Sequence, residues 1–161
     1  MQPNHTTFDK IALMNMAFGN PSGFPANPDW DRLSKQFKNI PDECSEAEEA
    51  IAAKDLPALM DACSDIIVFA FGLMHLAGVN GDVIMDAVYE SNMSKFCRNE
   101  DELAATRAKY DSLGVKYDIE GEFPAAFLRC TEDIVVGKDA YRAKKFLKGI
   151  NYKEPVFAIG T

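Results

Sequence analysis

Two pairs of acidic residues have the spacing that a divalent-cation site needs. Glu43-x-x-Glu46 falls in NIPDECSEAEEAIAAKDL at 39–56, and Asp61-x-x-x-Asp65 falls in MDACSDIIVFAFGLMHLAGV at 60–79. Residues three or four apart lie on one face of a helix, so each pair turns both carboxylates to the same side. Mg²⁺ takes oxygen ligands in octahedral geometry, keeps several waters and leaves positions for phosphate oxygens. Four converging carboxylates can hold two or more such ions. An isolated acidic pair on a helix is more often a solvated face, but Asp61 and Asp65 interrupt a strongly apolar stretch. Carboxylates left unpaired among apolar groups are costly, so a metal, another cation or a water-filled cleft is expected beside them. Asp86, further on, is a spare carboxylate that completes the cluster or is merely solvated.

These pairs depend on the helices that carry them. Leu33, Phe37, Ile40, Cys44, Ala47 and Ile51 recur every three or four positions, which predicts helix from Asp31 to about Lys54. Pro41 makes this one bent helix or two. If the helix is continuous, Gln36, Asn39, Glu43, Glu46 and Ala50 share a polar stripe at 100° per residue. Asp55 as N-cap and Pro57 in the first turn announce the next helix, which reaches about Leu76. That helix is apolar nearly all round and is expected at the centre, with Asp61, Asp65, Val68, Gly72 and His75 on one stripe. The loop around Asp55 is short enough to make the two helices antiparallel neighbours, which brings the acidic pairs face to face.

Elsewhere, residues 1–7 read as a loose tail, FDKIALMNMAF at 8–18 as a helix, and NPSGFPANPDW as a loop. A further helix opens near Asp82, and Asn99 caps another that ends at Gly114. VKYDI, AAFLR and DIVV predict a small β hairpin or meander ahead of the tail KKFLKGINYKEPVF. The expected fold is mostly α. A single domain spans 1–161, with a helical bundle over about 8–113 and a small β-containing tail over about 114–161.

The chain has 161 residues, is 47% hydrophobic and carries a net charge of −8. An acidic chain repels nucleic-acid polymers and anionic lipid head groups, and it accepts a polyanionic small molecule only where cations reverse the local sign. Cys44, Cys63, Cys97 and Cys130 lack zinc-ligand spacing and read as reduced core thiols. Met14, Met16, Met60, Met74, Met85 and Met93 read as core filler, as do Phe69 and Phe71. The longest apolar run, IIVFAFGLM, is shorter than the roughly 20 residues that cross a bilayer. No membrane segment is expected, and a cytoplasmic setting is, or the host cytoplasm for a phage-encoded chain.

In order and spacing, three segments resemble the MazG-like and phosphoribosyl-ATP pyrophosphohydrolase-like all-α nucleotide pyrophosphohydrolases: 39–56, 60–79 and YESNMSKF at 89–96. KGINYKEP at 148–155 is similar to the tail of phage-type members. The resemblance implies that Glu43 and Glu46 are the ExxE metal pair and that Asp65 is the last residue of the family's ExxD. The family's glutamate before that Asp falls on Ala62, so Asp61 takes over as ligand, or Asp86 does. Asn92 and Lys95 match positions that contact substrate phosphates or sugar, and their chemistry suits the part. Asn39, Lys148, Asn151 and Tyr152 are further candidate substrate contacts, whereas His75 reads as a helix-end cap.

The implied reaction is Mg²⁺-dependent hydrolysis of (deoxy)nucleoside triphosphates to monophosphate and pyrophosphate, with Mn²⁺ as a substitute ion. Glu43 or Glu46 orients or deprotonates the attacking water, and Lys95 offsets charge on the phosphoryl oxygens. The resemblance also implies a homodimer or homotetramer. Within the same class the alternatives are specificity for phosphoribosyl-ATP, dUTP or dCTP, or a guanosine polyphosphate alarmone. Outside it, Ala62 keeps open a non-catalytic helical nucleotide-binding or interaction protein.

Overall fold

The computed structural model describes residues 4–157 and residue 159. Six helices are followed by four short strands: α1 Thr7–Ala17, α2 Trp30–Phe37, α3 Asn39–Ala53, α4 Leu56–Ala77, α5 Gly81–Met93, α6 Glu100–Ser112, β1 Tyr117–Glu120, β2 Phe127–Cys130, β3 Ile134–Val136 and β4 Asp139–Tyr141. The fold is mostly α with a β-containing C-terminal part. It forms two compact units, Met1–Met85 with Phe157–Thr161, and Asp86–Val156. The division falls within α5, not near residue 113 where the composition changes.

In the first unit side chains cap the helix starts, with Asp55 in the place expected. Thr6 and Asp9 form a reciprocal capping box on α1, and Asp29 and Asp55 accept the N–H of Arg32 and Ala58 to start α2 and α4. Thr7 is already helical, so the expected loose tail shrinks to residues 4–6; residues 1–3 lie outside the described residues. Pro41 sits in the first turn of α3, and the stretch from Asp31 to Lys54 is two helices divided at Lys38. Lys54 closes the turn into α4 in the left-handed conformation (φ 56°).

α4 is the hub of this unit and packs against α1, α2 and α3. Its buried residues are only Ala62, Gly72, His75 and Leu76. It was expected at the centre, yet Met60 and Ile67 are each 50% exposed, because three helices cover part of an all-round apolar cylinder. Met16, Met85 and Met93 are likewise exposed and not core filler, and Cys44 is an exposed thiol. By length and composition alone α4 is also apolar enough to cross a membrane. The length of the uninterrupted apolar run understated this, because the aspartates break the run without ending the helix.

The second unit has its own core of Cys97, Leu103, Tyr110, Val115, Leu128, Cys130 and Leu147. Here α6, capped by Asn99, packs on two separate antiparallel hairpins, β1–β2 and β3–β4, where one hairpin or meander was expected. β4 was missed because Asp139–Tyr141 is three residues long and follows its partner after a tight Gly137–Lys138 turn. In β1–β2, Tyr117 pairs with Cys130 and Asp118 with Arg129. The Arg129 guanidinium grips both Glu120 oxygens at 2.7 and 2.9 Å and also donates to the Lys144 carbonyl. Its grip holds the Glu120 carboxyl below the usual range. A carboxylate whose folded pKa is lowered contributes stability above its unfolded pKa and loses it as the pH falls through the folded value. Glu120→Gln should therefore lower Tm at neutral pH, with the gap to wild type closing below the ordinary carboxylate range. Melting curves across pH check this, and a gap independent of pH would remove the ion pair from the account.

Candidate active site

The acidic stripe is assembled by the packing of α2 and α3 on α4. Gly72 marks the register: a Cβ there would stand 2.7 Å from Gln36 Nε2 and 3.6 Å from Asn15 Nδ2, so two amide side chains approach α4 where it lacks a side chain. That contact does not carry on along one helix, since α2 ends at Phe37 and α3 begins at Asn39; what sets Glu43 near Asp65 and Asp61 is the packing of α3 on α4. Glu46 and Asp61 line one concavity of about 430 Å³, with Glu49, Ala50, Ala53, Asp55 and Ala58.

The electrostatics agree with this packing. Partial burial, and then repulsion by Glu46, Asp65, Asp42 and Asp61, push the half-buried Glu43 carboxyl above the usual range. No ion pair among the described residues offsets any of these charges. The donor set is carboxylate oxygen throughout, which is the ligand class of hard divalent cations. Among the described residues, no three Asp, Glu, His or Cys side chains stand close enough to enclose a metal ion as they lie. Like charges repel, so closing the four carboxylates to ligand distance takes a compensating cation. Ala62 is 3% exposed, and its position offers no carboxylate, whereas Asp61 is exposed on the neighbouring face.

Other expected residues of this unit have local work. Asn39 donates its side-chain N–H to the Gln36 carbonyl (3.1 Å) and bridges α2 to α3. His75 is buried, with Nε2 2.9 Å from the Asn20 carbonyl. It ties the loop after α1 to α4, and this fixed partner gives it a structural role. Trp30 lies exposed beside Phe37 on an apolar groove with Leu73 and Met74.

The second unit holds the remaining candidates. Asp86 is exposed on α5. Lys95 Nζ donates to Asn92 Oδ1 at 2.7 Å, and the tail is stitched to this segment. The Gly149 N–H bonds to the Lys95 carbonyl (3.1 Å), the Lys153 N–H to Ser94 Oγ (2.9 Å) and Ser91 Oγ to the Lys153 carbonyl (2.9 Å). Lys148, Tyr152 and Glu154 form one cluster: Lys148 Nζ lies 2.8 Å from one carboxylate oxygen of Glu154, and Tyr152 OH 2.9 Å from the other. Asn151 and Tyr152 line a cavity of about 940 Å³ with Tyr89, Arg98 and Lys153. Sequence reasoning missed Glu154, Tyr89, Arg98 and Lys153 as site residues: Tyr89, Lys153 and Glu154 lie within the segments 89–96 and 148–155, but only the fold gathers them.

An all-α unit that gathers acidic side chains on two packed helices offers the oxygen donors that hard divalent cations take. Residues 20–92 match the family model of phosphoribosyl-ATP pyrophosphohydrolase, of the MazG-like nucleotide pyrophosphohydrolase superfamily. The match contains Glu43, Glu46, Asp61, Asp65, Asp86 and Asn92, and it ends before Lys95. An uncharacterized protein of Acanthamoeba polyphaga mimivirus is 26% identical over 103 residues, 58% of this chain and 40% of its own length. The chain therefore spans less than half of that relative. No solved structure matches the chain.

A Cβ at Gly149 would stand 2.7 Å from the Lys95 carbonyl oxygen, which is backbone and has little room to yield. Gly149→Ala should push the tail off the end of α5 and destabilise the protein by about 1–3 kcal/mol. Hydrogen exchange should show the Gly149 and Lys153 amides losing protection. Full protection in the variant would mean that the close approach is not what seats the tail.

Proposed function

We propose that the chain hydrolyses (deoxy)nucleoside triphosphates to monophosphate and pyrophosphate in an Mg²⁺-dependent reaction. The observation that carries this reading is the packing of α3 on α4, which sets Glu43 and Glu46 of one helix near Asp65 and Asp61 of the other, inside the segment that matches a pyrophosphohydrolase family. Glu43, Glu46, Asp61 and Asp65 would hold the ion, with Asp86 as the alternative to Asp61. Bound there, Mg²⁺ offsets the charge of the triphosphate and acidifies water. Glu43 or Glu46 orients the attacking water and accepts its proton. Lys95, steadied by Asn92, supplies positive charge to the phosphoryl oxygens. Asn151 and Tyr152 contribute substrate contacts from the wall of their cavity.

Products from a panel of NTPs and dNTPs, with phosphoribosyl-ATP and guanosine polyphosphates included, test this reading. Monophosphate and pyrophosphate, formed only with Mg²⁺ or Mn²⁺, are expected. Glu43→Gln and Asp65→Asn should each lower kcat by 100-fold or more without lowering Tm. Orthophosphate as the first product, or turnover in EDTA, would overturn the reaction. Absence of turnover on every substrate would favour the binding role that Ala62 leaves open.

We also propose that the chain works as a homodimer or homotetramer. The support is α4, whose Leu56, Met60 and Ile67 side chains are at least half exposed in one copy at a cost in unburied apolar area. Sedimentation equilibrium should give a dimer or tetramer, and Ile67→Glu should shift it toward monomer. A wild-type monomer at micromolar concentration would refute the assembly.

A further inference from the structure

Both carboxylate oxygens of Glu154 are taken, each by a different donor. Lys148 Nζ is 2.8 Å from Oε1, and Tyr152 OH donates to Oε2 at 2.9 Å. The ammonium of Lys148 also stands 4.2 Å from the centroid of the Tyr152 ring, so the two donors are held against each other as well as against the acid. The backbone that carries them is fixed at several points. Tyr110 OH donates to the Lys148 carbonyl (3.0 Å), and the Ile150 N–H donates to Thr106 Oγ1 (3.0 Å). Gly149 sits on the Lys95 carbonyl. Lys148 and Tyr152 hold the Glu154 carboxyl below its usual range, and the nearby charge of Lys95 lowers it further.

Phosphoryl and carboxylate oxygens are alike as acceptors of charge-assisted hydrogen bonds from ammonium and hydroxyl groups. The Lys148 and Glu154 side chains are 51% and 71% exposed, so the carboxylate can leave without opening a core, and an exposed pair of this kind is weak. Two groups suited to an oligophosphate thus hold an anion tethered by the chain itself, in a protein whose net charge is −8.

We propose that Lys148 and Tyr152 form a phosphate subsite, and that Glu154 occupies it in the free protein as an internal anion that a substrate phosphate displaces. The identity of the phosphate as part of a nucleotide rests on the reading above; the subsite itself does not. The internal anion sets a threshold. A lone orthophosphate competes poorly with a tethered carboxylate, whereas an oligophosphate brings enough charge to replace it.

Calorimetric titration with inorganic tripolyphosphate in metal-free, low-salt buffer tests the subsite without requiring turnover. Glu154→Gln should tighten binding roughly three- to tenfold, the effect expected for removing one exposed charge beside the ligand, and the gain should shrink at high salt. Lys148→Gln should weaken binding, and adding Glu154→Gln to it should restore little. Tyr152→Phe, which removes one donor and no charge, should weaken binding two- to fivefold. Glu132→Gln, an exposed acid in the turn before β3, controls for net charge and should change nothing. Melting curves establish that each variant is folded. Unchanged or weaker binding by folded Glu154→Gln would overturn the proposal, as would an equal gain in the Lys148→Gln background or from Glu132→Gln. Should Glu154→Gln fail to fold, unchanged binding by Tyr152→Phe would overturn it on its own. A tightened Glu154→Gln in a protein that turns over no nucleotide would keep the subsite and discard the pyrophosphohydrolase reading. Normal turnover with no effect of Glu154 would do the reverse.

Discussion

Four carboxylates repel one another across the seam between α3 and α4, and the fold holds them there all the same. The seam is set by apolar packing. At Gly72 the Gln36 amide comes within 2.7 Å of where a Cβ would be. That contact seats α2 on α4, and α3, beyond the break at Lys38, packs on α4 in its own right and brings Glu43 near Asp65 and Asp61. The cost appears in the Glu43 carboxyl, which partial burial and its acidic neighbours push upward. The ion proposed for this site would offset that repulsion.

The second unit gathers positive charge and hydrogen-bond donors of its own. Its hydrophobic core and hairpins seat a tail whose polar contacts run through Ser91, Ser94 and Gly149. Those contacts fix Lys148 and Tyr152, four residues apart, against one carboxylate. The tail is therefore an ordered part of the structure, although its composition reads as solvated.

Much of the helical layout was legible because it rests on local chemistry. Asp55, Asn99 and Gly114 mark helix ends by capping and by a left-handed exit, and the spacing of Glu43, Glu46, Asp61 and Asp65 follows from the helical period. Pro41 permitted one helix or two, and the break at Lys38 depends on how α2 leans on α4, which no local rule states. β4 was too short to carry a periodic signal, and Glu154 is an ordinary tail acid until the fold brings Lys148 and Tyr152 onto it. The methionines failed for a different reason. Apolar character says that a surface will be covered, but it does not say that one copy of the chain covers it.

The central claim is that Glu43 and Asp65 serve the same ion. Mg²⁺ affinity, measured by calorimetry for wild type, Glu43→Gln, Asp65→Asn and the double variant, tests it most directly. Shared ligation predicts that each single change weakens binding ten- to 100-fold and that the double variant loses far less than the product of the two. Independent, multiplicative losses, or Mg²⁺ affinity untouched by either change, would contradict it.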